Sequence, residues 1–135
     1  MRARSLASGP VTAPIDIVRD FCGLFGSGAS IDEIVSRFTE DAVYHNIPVD
    51  PVVGHDAIRG MLGMFIAPGV TLEFRISHIV AEGDVVLTER VDVFDMGETT
   101  IELPVMGIFE VRDGLIAAWR DYFDLNQYMS QLPQG

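Results

Sequence analysis

Apolar positions recur at helical spacing in the first half of the chain and alternate in the second. Val18, Phe21, Cys22 and Phe25 stand at i, i+3, i+4 and i+7, one stripe of an amphipathic helix that runs into the breaker Gly26-Ser27-Gly28. Ile31, Ile34, Val35 and Phe38 repeat the spacing, and Ser30 followed by Glu33 is a capping-box pair that sets where this helix starts. Ile58, Met61, Leu62 and Phe65 form a third stripe between Gly54 and Pro68-Gly69, and residues 42–47 read as a short strand between the second and third helices.

After Pro68 the period changes to two. Leu72, Phe74 and Ile76 alternate with Glu73, Arg75 and Ser77 in a strand that extends to about residue 81. Turn signals at Glu82-Gly83-Asp84, Asp95-Met96-Gly97-Glu98 and Arg112-Asp113-Gly114 separate it from strands over residues 85–94, 99–111 and 115–123. Four strands joined by tight turns make an antiparallel meander. The expected fold is α+β: a curved, mostly antiparallel mixed sheet with three N-terminal helices on one face, forming a cone-shaped pocket.

Length and composition narrow this picture. The chain of 135 residues holds one domain, read as residues 14–135 behind a flexible N-terminal arm over residues 1–13. Its formal charge of −11 argues against binding nucleic acid and against adsorption to an anionic membrane. At 48% hydrophobic and 21% charged residues, it carries more apolar material than one small core requires, enough for a pocket or an oligomer interface. The single cysteine, Cys22, excludes an intrachain disulfide and reads as a small core residue. No apolar run approaches a membrane span and the N-terminus lacks a secretory apolar stretch, so the expected compartment is the cytoplasm.

The candidate chemistry lies on the strands. Residues two apart share a face, which groups Thr88, Arg90, Asp92 and Phe94 on one strand and Trp119, Asp121 and Phe123 on the last. An aspartate between two aromatics is in an apolar neighbourhood that raises its pKa unless a cation compensates, and Arg90 is the candidate cation. The bland reading is a buried ion pair, yet two carboxylates around one guanidinium are an unusual structural choice, since such triads are commonly no more stabilising than apolar replacements. Tyr44 and Asn46 share a face of the early strand and are neutral groups able to hold a water or a substrate oxygen. His45, His55 and His78 have no metal-site spacing, and neither a phosphate loop nor a G-x-S-x-G elbow occurs.

Three segments, Tyr44-His45-Asn46-Ile47-Pro48, Glu89-Arg90-Val91-Asp92-Val93 and Trp119-Arg120-Asp121-Tyr122-Phe123-Asp124-Leu125, resemble the limonene-1,2-epoxide hydrolase family, in the family's order and from the first helix onward. The resemblance implies a nuclear-transport-factor-2-like fold, typically dimeric, that hydrolyses epoxides to vicinal diols in one step without metal, cofactor or covalent intermediate. It further implies that Asp121 is the base, holding and deprotonating a water together with Tyr44 and Asn46. Asp92 would be the acid at the epoxide oxygen, and Arg90 would bridge the two carboxylates. Phe94, Leu103, Val105, Phe123 and Trp119 would line an apolar substrate pocket. The implied partners are a hydrophobic epoxide, water and a second copy of the chain. Two alternatives stand beside this reading. One is a ketosteroid-isomerase-like or polyketide-cyclase-like enzyme, in which one carboxylate moves a proton beside a carbonyl. The other is a non-catalytic module that binds small apolar molecules.

Overall fold

The computed structural model describes residues 12–133, so most of the arm expected over residues 1–13 lies outside the described residues. Helix α1 (Pro14–Leu24) opens with proline in its first turn, where a missing N–H costs no hydrogen bond, and buries Val18, Phe21 and Cys22 as its spacing predicts. Helix α2 (Ile31–Val35) is capped by Ser30, whose side chain accepts from the Glu33 amide at 3.1 Å.

Phe38 departs from expectation: it is the first residue of strand β1 (Phe38–Asn46), not the last of the second helical stripe. The backbone there is claimed by the sheet, since the Ile116 amide donates to the Arg37 carbonyl at 2.8 Å and Phe38 pairs with Ile116. The Phe38 side chain still enters the core, which is why its spacing looked helical. A two-residue strand β2 (Val52–Val53) pairs antiparallel with β1 ahead of helix α3 (His55–Gly63), which buries Ile58 and Leu62.

Strands β3 (Thr71–Glu82), β4 (Val85–Asp95), β5 (Thr100–Arg112) and β6 (Leu115–Tyr122) form the expected meander. The six-stranded sheet has the order β2-β1-β6-β5-β4-β3, with β1 parallel to β6, so the sheet is mixed. Register shifts in β1, β3 and β5 break the ladder and bend the strands, curving the sheet around the helices. A short fourth helix, α4 (Leu125–Met129), follows β6, with Asp124 as its cap accepting from the Asn126 and Gln127 amides. Sequence patterning did not reveal it, because five residues are too few for a periodic stripe.

The core lies between α1, α3 and the concave face, centred on Trp119, which is fully buried. Trp119 stacks on Tyr44 at 4.3 Å and on Phe109 at 5.4 Å, and meets the edge of Phe21 at 5.2 Å. Such ring pairs contribute about 0.5–1.5 kcal/mol each beyond the area they bury. Among the described residues, no helix is long and apolar enough to cross a membrane.

Candidate active site

Sheet register assembles the polar residues in one row across four strands. Thr88 on β4 pairs with Gly107 on β5, Gly107 with Asp121 on β6, and Asp121 with Asn46 on β1. A parallel row, Val86, Phe109, Trp119 and Tyr44, lies one pleat away and is apolar apart from the tyrosine hydroxyl and indole N–H. The parallel β1–β6 pairing is therefore what brings Tyr44 and Asn46 beside Asp121, although some 75 residues of sequence separate them.

Arg90 sits between the two carboxylates. Its Nε donates to Asp92 Oδ1 at 2.9 Å and its Nη2 to Asp92 Oδ2 at 2.8 Å. Toward Asp121, Nη1 donates to Oδ1 at 3.2 Å and Nη2 to Oδ2 at 2.8 Å. Nη1 also donates to Thr88 Oγ1 at 3.1 Å, and the guanidinium carbon lies 4.5 Å over the Phe74 ring. Two bidentate pairs on one fork hold all three side chains in fixed orientation. Trp119 Nε1 donates to Asp121 Oδ1 at 2.7 Å.

Only 1% of Arg90, 4% of Asp92 and 3% of Asp121 is exposed, so the cluster is removed from bulk water. Burial pushes the Asp92 carboxyl up to about 6; the Arg90 bonds act in the opposite direction and the Asp121 charge reinforces the rise. Burial alone would lower the Arg90 pKa, but the charges of Asp121 and Asp92 outweigh it and keep the guanidinium protonated. Burial, with the Asp121 charge, likewise raises the Tyr44 phenol above its ordinary value, so it is a neutral hydrogen-bonding group. The Cys22 thiol, behind the cluster, is pushed up to about 12 by burial and is not a nucleophile at neutral pH.

A cavity of about 80 Å³ opens on the concave face. Asp92, Asp121, Tyr44 and Asn46 line it, whereas Arg90 stands behind the carboxylates. All five residues expected in the apolar lining, Phe94, Leu103, Val105, Phe123 and Trp119, are on its wall. The Asn46 Nδ2 is buried there and has no hydrogen-bond partner among the described residues, a donor available to a small polar guest.

Several contributors escaped the sequence reading. Leu125 and Tyr128 reach the cavity from α4, Phe65 and Leu62 from α3 and the turn after it, and Phe25 from the end of α1. Gly107 is the contributor with a usable signal, because a glycine inside an alternating strand marks a close approach by another group. The histidines are held locally: His45 and His55 bond the Val49 and Phe38 carbonyls, and His78 pairs with Glu89. Among the described residues, no group of three or more His, Cys, Asp and Glu is placed to hold a metal ion.

This arrangement has known counterparts. A family model described as the limonene-1,2-epoxide hydrolase catalytic domain matches residues 12–134. The chain is 35% identical over 108 residues to epoxide hydrolase EphG of Mycobacterium tuberculosis, a match spanning 77% of this chain and 69% of that protein. The solved structure of an LEH-like epoxide hydrolase from M. tuberculosis superposes with a TM-score of 0.76 at 32% identity, covering 88% of each chain. SalBIII, an epoxide hydrolase/cyclase-like enzyme of pyran ring formation in the polyether salinomycin, shares the fold at 22% identity with a TM-score of 0.72, over 84% of this chain and 92% of that one. With the family match running nearly end to end and identity above 30% to an epoxide hydrolase, the chain belongs to the limonene-1,2-epoxide hydrolase family.

Proposed function

We propose that this protein hydrolyses a hydrophobic epoxide to a vicinal diol in one step, with Asp121 as base, Asp92 as acid and Arg90 as the bridge between them. The observation that carries this reading is one buried guanidinium shared by two carboxylates that both line an apolar cavity. Opening an epoxide needs a nucleophile at carbon and a proton at the departing oxygen, and supplying both together avoids a free alkoxide.

A water on the cavity wall accepts a hydrogen bond from Asn46 Nδ2, is oriented by the Tyr44 hydroxyl, and gives a proton to Asp121 as its oxygen attacks the epoxide carbon. The carbon–oxygen bond of the ring breaks, and Asp92, carrying the shared proton, protonates the leaving oxygen. The diol departs with Asp121 protonated and Asp92 ionised, and the proton returns through solvent or between the carboxylates to reset the pair. Burial favours a protonated Asp92, which is what the acid role requires. Proton transfer beside a carbonyl, as in ketosteroid isomerases, gives no reason to hold two carboxylates on one arginine.

The test is turnover of epoxides, from compact cyclic to bulky, by the wild type, Asp92→Asn and Asp121→Asn, with folding checked by circular dichroism. Each variant is expected to lose orders of magnitude in diol formation while remaining folded. Near-full turnover by either variant would remove the triad from the mechanism. A single turnover in ¹⁸O-water should label the diol; an unlabelled first product would mean that an enzyme carboxylate oxygen is transferred instead.

We also infer a homodimer. The convex face of the sheet exposes Met106, Tyr122 and Leu87, with Met106 and Tyr122 paired across β5 and β6. Such a patch fits an interface between copies. A monomer by light scattering at micromolar concentration would overturn this.

A further inference from the structure

The geometry points to Trp119 as the positioning residue that decides which of the two aspartates is the base, by giving Asp121 one more hydrogen bond than Asp92. Arg90 treats the pair almost evenly, with two bonds to each: 2.9 and 2.8 Å to Asp92, 3.2 and 2.8 Å to Asp121. The Trp119 indole adds a third to Asp121, its Nε1 donating to Oδ1 at 2.7 Å, the shortest bond in the cluster. An indole N–H only donates, so this bond favours the ionised form of Asp121 and disfavours the protonated one. In a pair that shares one proton, stabilising one member's anion sends the proton to the other. The indole therefore selects the state with Asp92 protonated and Asp121 ionised.

The bond is built into the packing. Trp119 is fully buried and clamped between the rings of Tyr44 and Phe109, so its N–H has no rotational freedom to leave Asp121. Among the described residues, the other titratable groups around the pair are Tyr44 on β1 and Cys22 on α1. Both remain neutral and present no competing charge. Trp119 thus does more than line the apolar pocket: without its N–H, the Arg90 contacts, slightly shorter to Asp92 than to Asp121, give no preference for ionising Asp121.

The assignment rests on the acid and base roles proposed above. Trp119 is the sole tryptophan of the sequence, so replacing tryptophan biosynthetically with the near-isosteric benzothienylalanine exchanges this one N–H for sulfur. Trp119→Phe is the genetic counterpart, and 4-fluorotryptophan, which keeps the N–H, is the control. Loss of a hydrogen bond to a charged group is expected to lower kcat roughly ten- to hundredfold. The acid limb of the kcat/KM profile should move to higher pH, because Asp121 then takes its proton more readily. The alkaline limb should shift less, rising only as far as the last proton comes to be shared with Asp121. Loss of packing alone would lower the whole profile without shifting one limb.

Site-resolved carboxyl ¹³C shifts supply a readout independent of turnover. In the wild type the shared proton should reside on Asp92, and without the N–H a substantial fraction should appear on Asp121. Unchanged proton occupancy in the benzothienylalanine protein would overturn the role of Trp119, even if epoxide hydrolysis is confirmed. Changed occupancy in a protein that opens no epoxide would uphold it and overturn only the proposed reaction.

Discussion

Arg90 on β4 reaches Asp121 on β6 by passing over Gly107 on the strand between them. A Cβ at Gly107 would overlap Arg90 Nη1 and lie 2.5 Å from Asp121 Oδ1 and 3.0 Å from Thr88 Oγ1. The glycine leaves the volume that the guanidinium fills; its backbone makes no special turn there, being regular strand.

Gly107→Ala is therefore expected to displace the Arg90 fork from Asp121. Overpacking of this kind costs about 1–3 kcal/mol of stability, and a misplaced acid–base pair costs about a hundredfold in rate. Thermal melts with kcat on the same preparation check both. A folded Gly107→Ala protein with wild-type kcat would show that Arg90 can bridge the carboxylates by another route.

Asp92 imposes a pH dependence on stability whose sign follows from its raised value. Between its ordinary value of 3.8 and about 6, the folded state binds the proton more tightly than the unfolded chain, so stability is lost as pH rises through that window. Asp41 and Glu89 act oppositely and at lower pH, because hydrogen bonds from Thr39 and His78 respectively lower their values. Asp92→Asn cannot ionise and isolates the contribution. Denaturant unfolding from pH 4 to 7 should show the wild type losing ground to the variant as pH rises. Parallel curves would mean that Asp92 ionises as an ordinary aspartate.

The triad is expected to cost the fold more than it contributes. Arg90→Met alone strands two buried carboxylates, and breaking a buried pair is worth about 3–5 kcal/mol of destabilisation. Replacing Arg90, Asp92 and Asp121 together with Met, Leu and Leu removes every buried charge and is expected to leave stability unchanged or raised by about 1–4 kcal/mol. That protein should form no diol. Calorimetric unfolding of the two variants tests the ordering; a triple variant less stable than Arg90→Met would show that the charges hold the sheet together.

Strand faces explain why so much of the site was legible in the sequence. The two-residue period puts Thr88, Arg90 and Asp92 on one face without knowledge of any partner, and the same rule groups Trp119 with Asp121. What the rule cannot supply is which strands are neighbours. The parallel β1–β6 pairing that sets Asn46 opposite Asp121 is a long-range contact, with no turn residues to announce it. Phe38 shows the limit from the other side, since its burial was foreseen and its backbone state was not: a core position satisfies a helical stripe and a strand equally well. The indole bond to Asp121 was hidden because Trp119 reads first as an apolar ring, and the direction of its N–H is set by the packing of Tyr44 and Phe109 around it.

Phe25 is expected to govern the size of epoxide accepted. Its ring stacks on Phe74 at 4.1 Å and closes one wall of the cavity; its other side borders a surface groove lined by Leu24, Ile34, Ile66 and Leu72. Leu72 borders both spaces, so Phe25 and Leu72 together form the partition. Shortening Phe25 to Leu should thin this wall and raise kcat/KM for bulky epoxides relative to compact ones by about tenfold, the scale set by one or two methylenes in an apolar pocket. Phe74 also lies under the Arg90 guanidinium, so Phe25→Leu removes a ring that braces the triad as well as the wall. Leu72→Ala opens the same partition without touching that stack. If both variants shift the bulky-to-compact ratio in the same direction, the wall sets selectivity. If only overall kcat falls, Phe25 acts through Phe74 on the triad and the size limit lies elsewhere on the cavity wall.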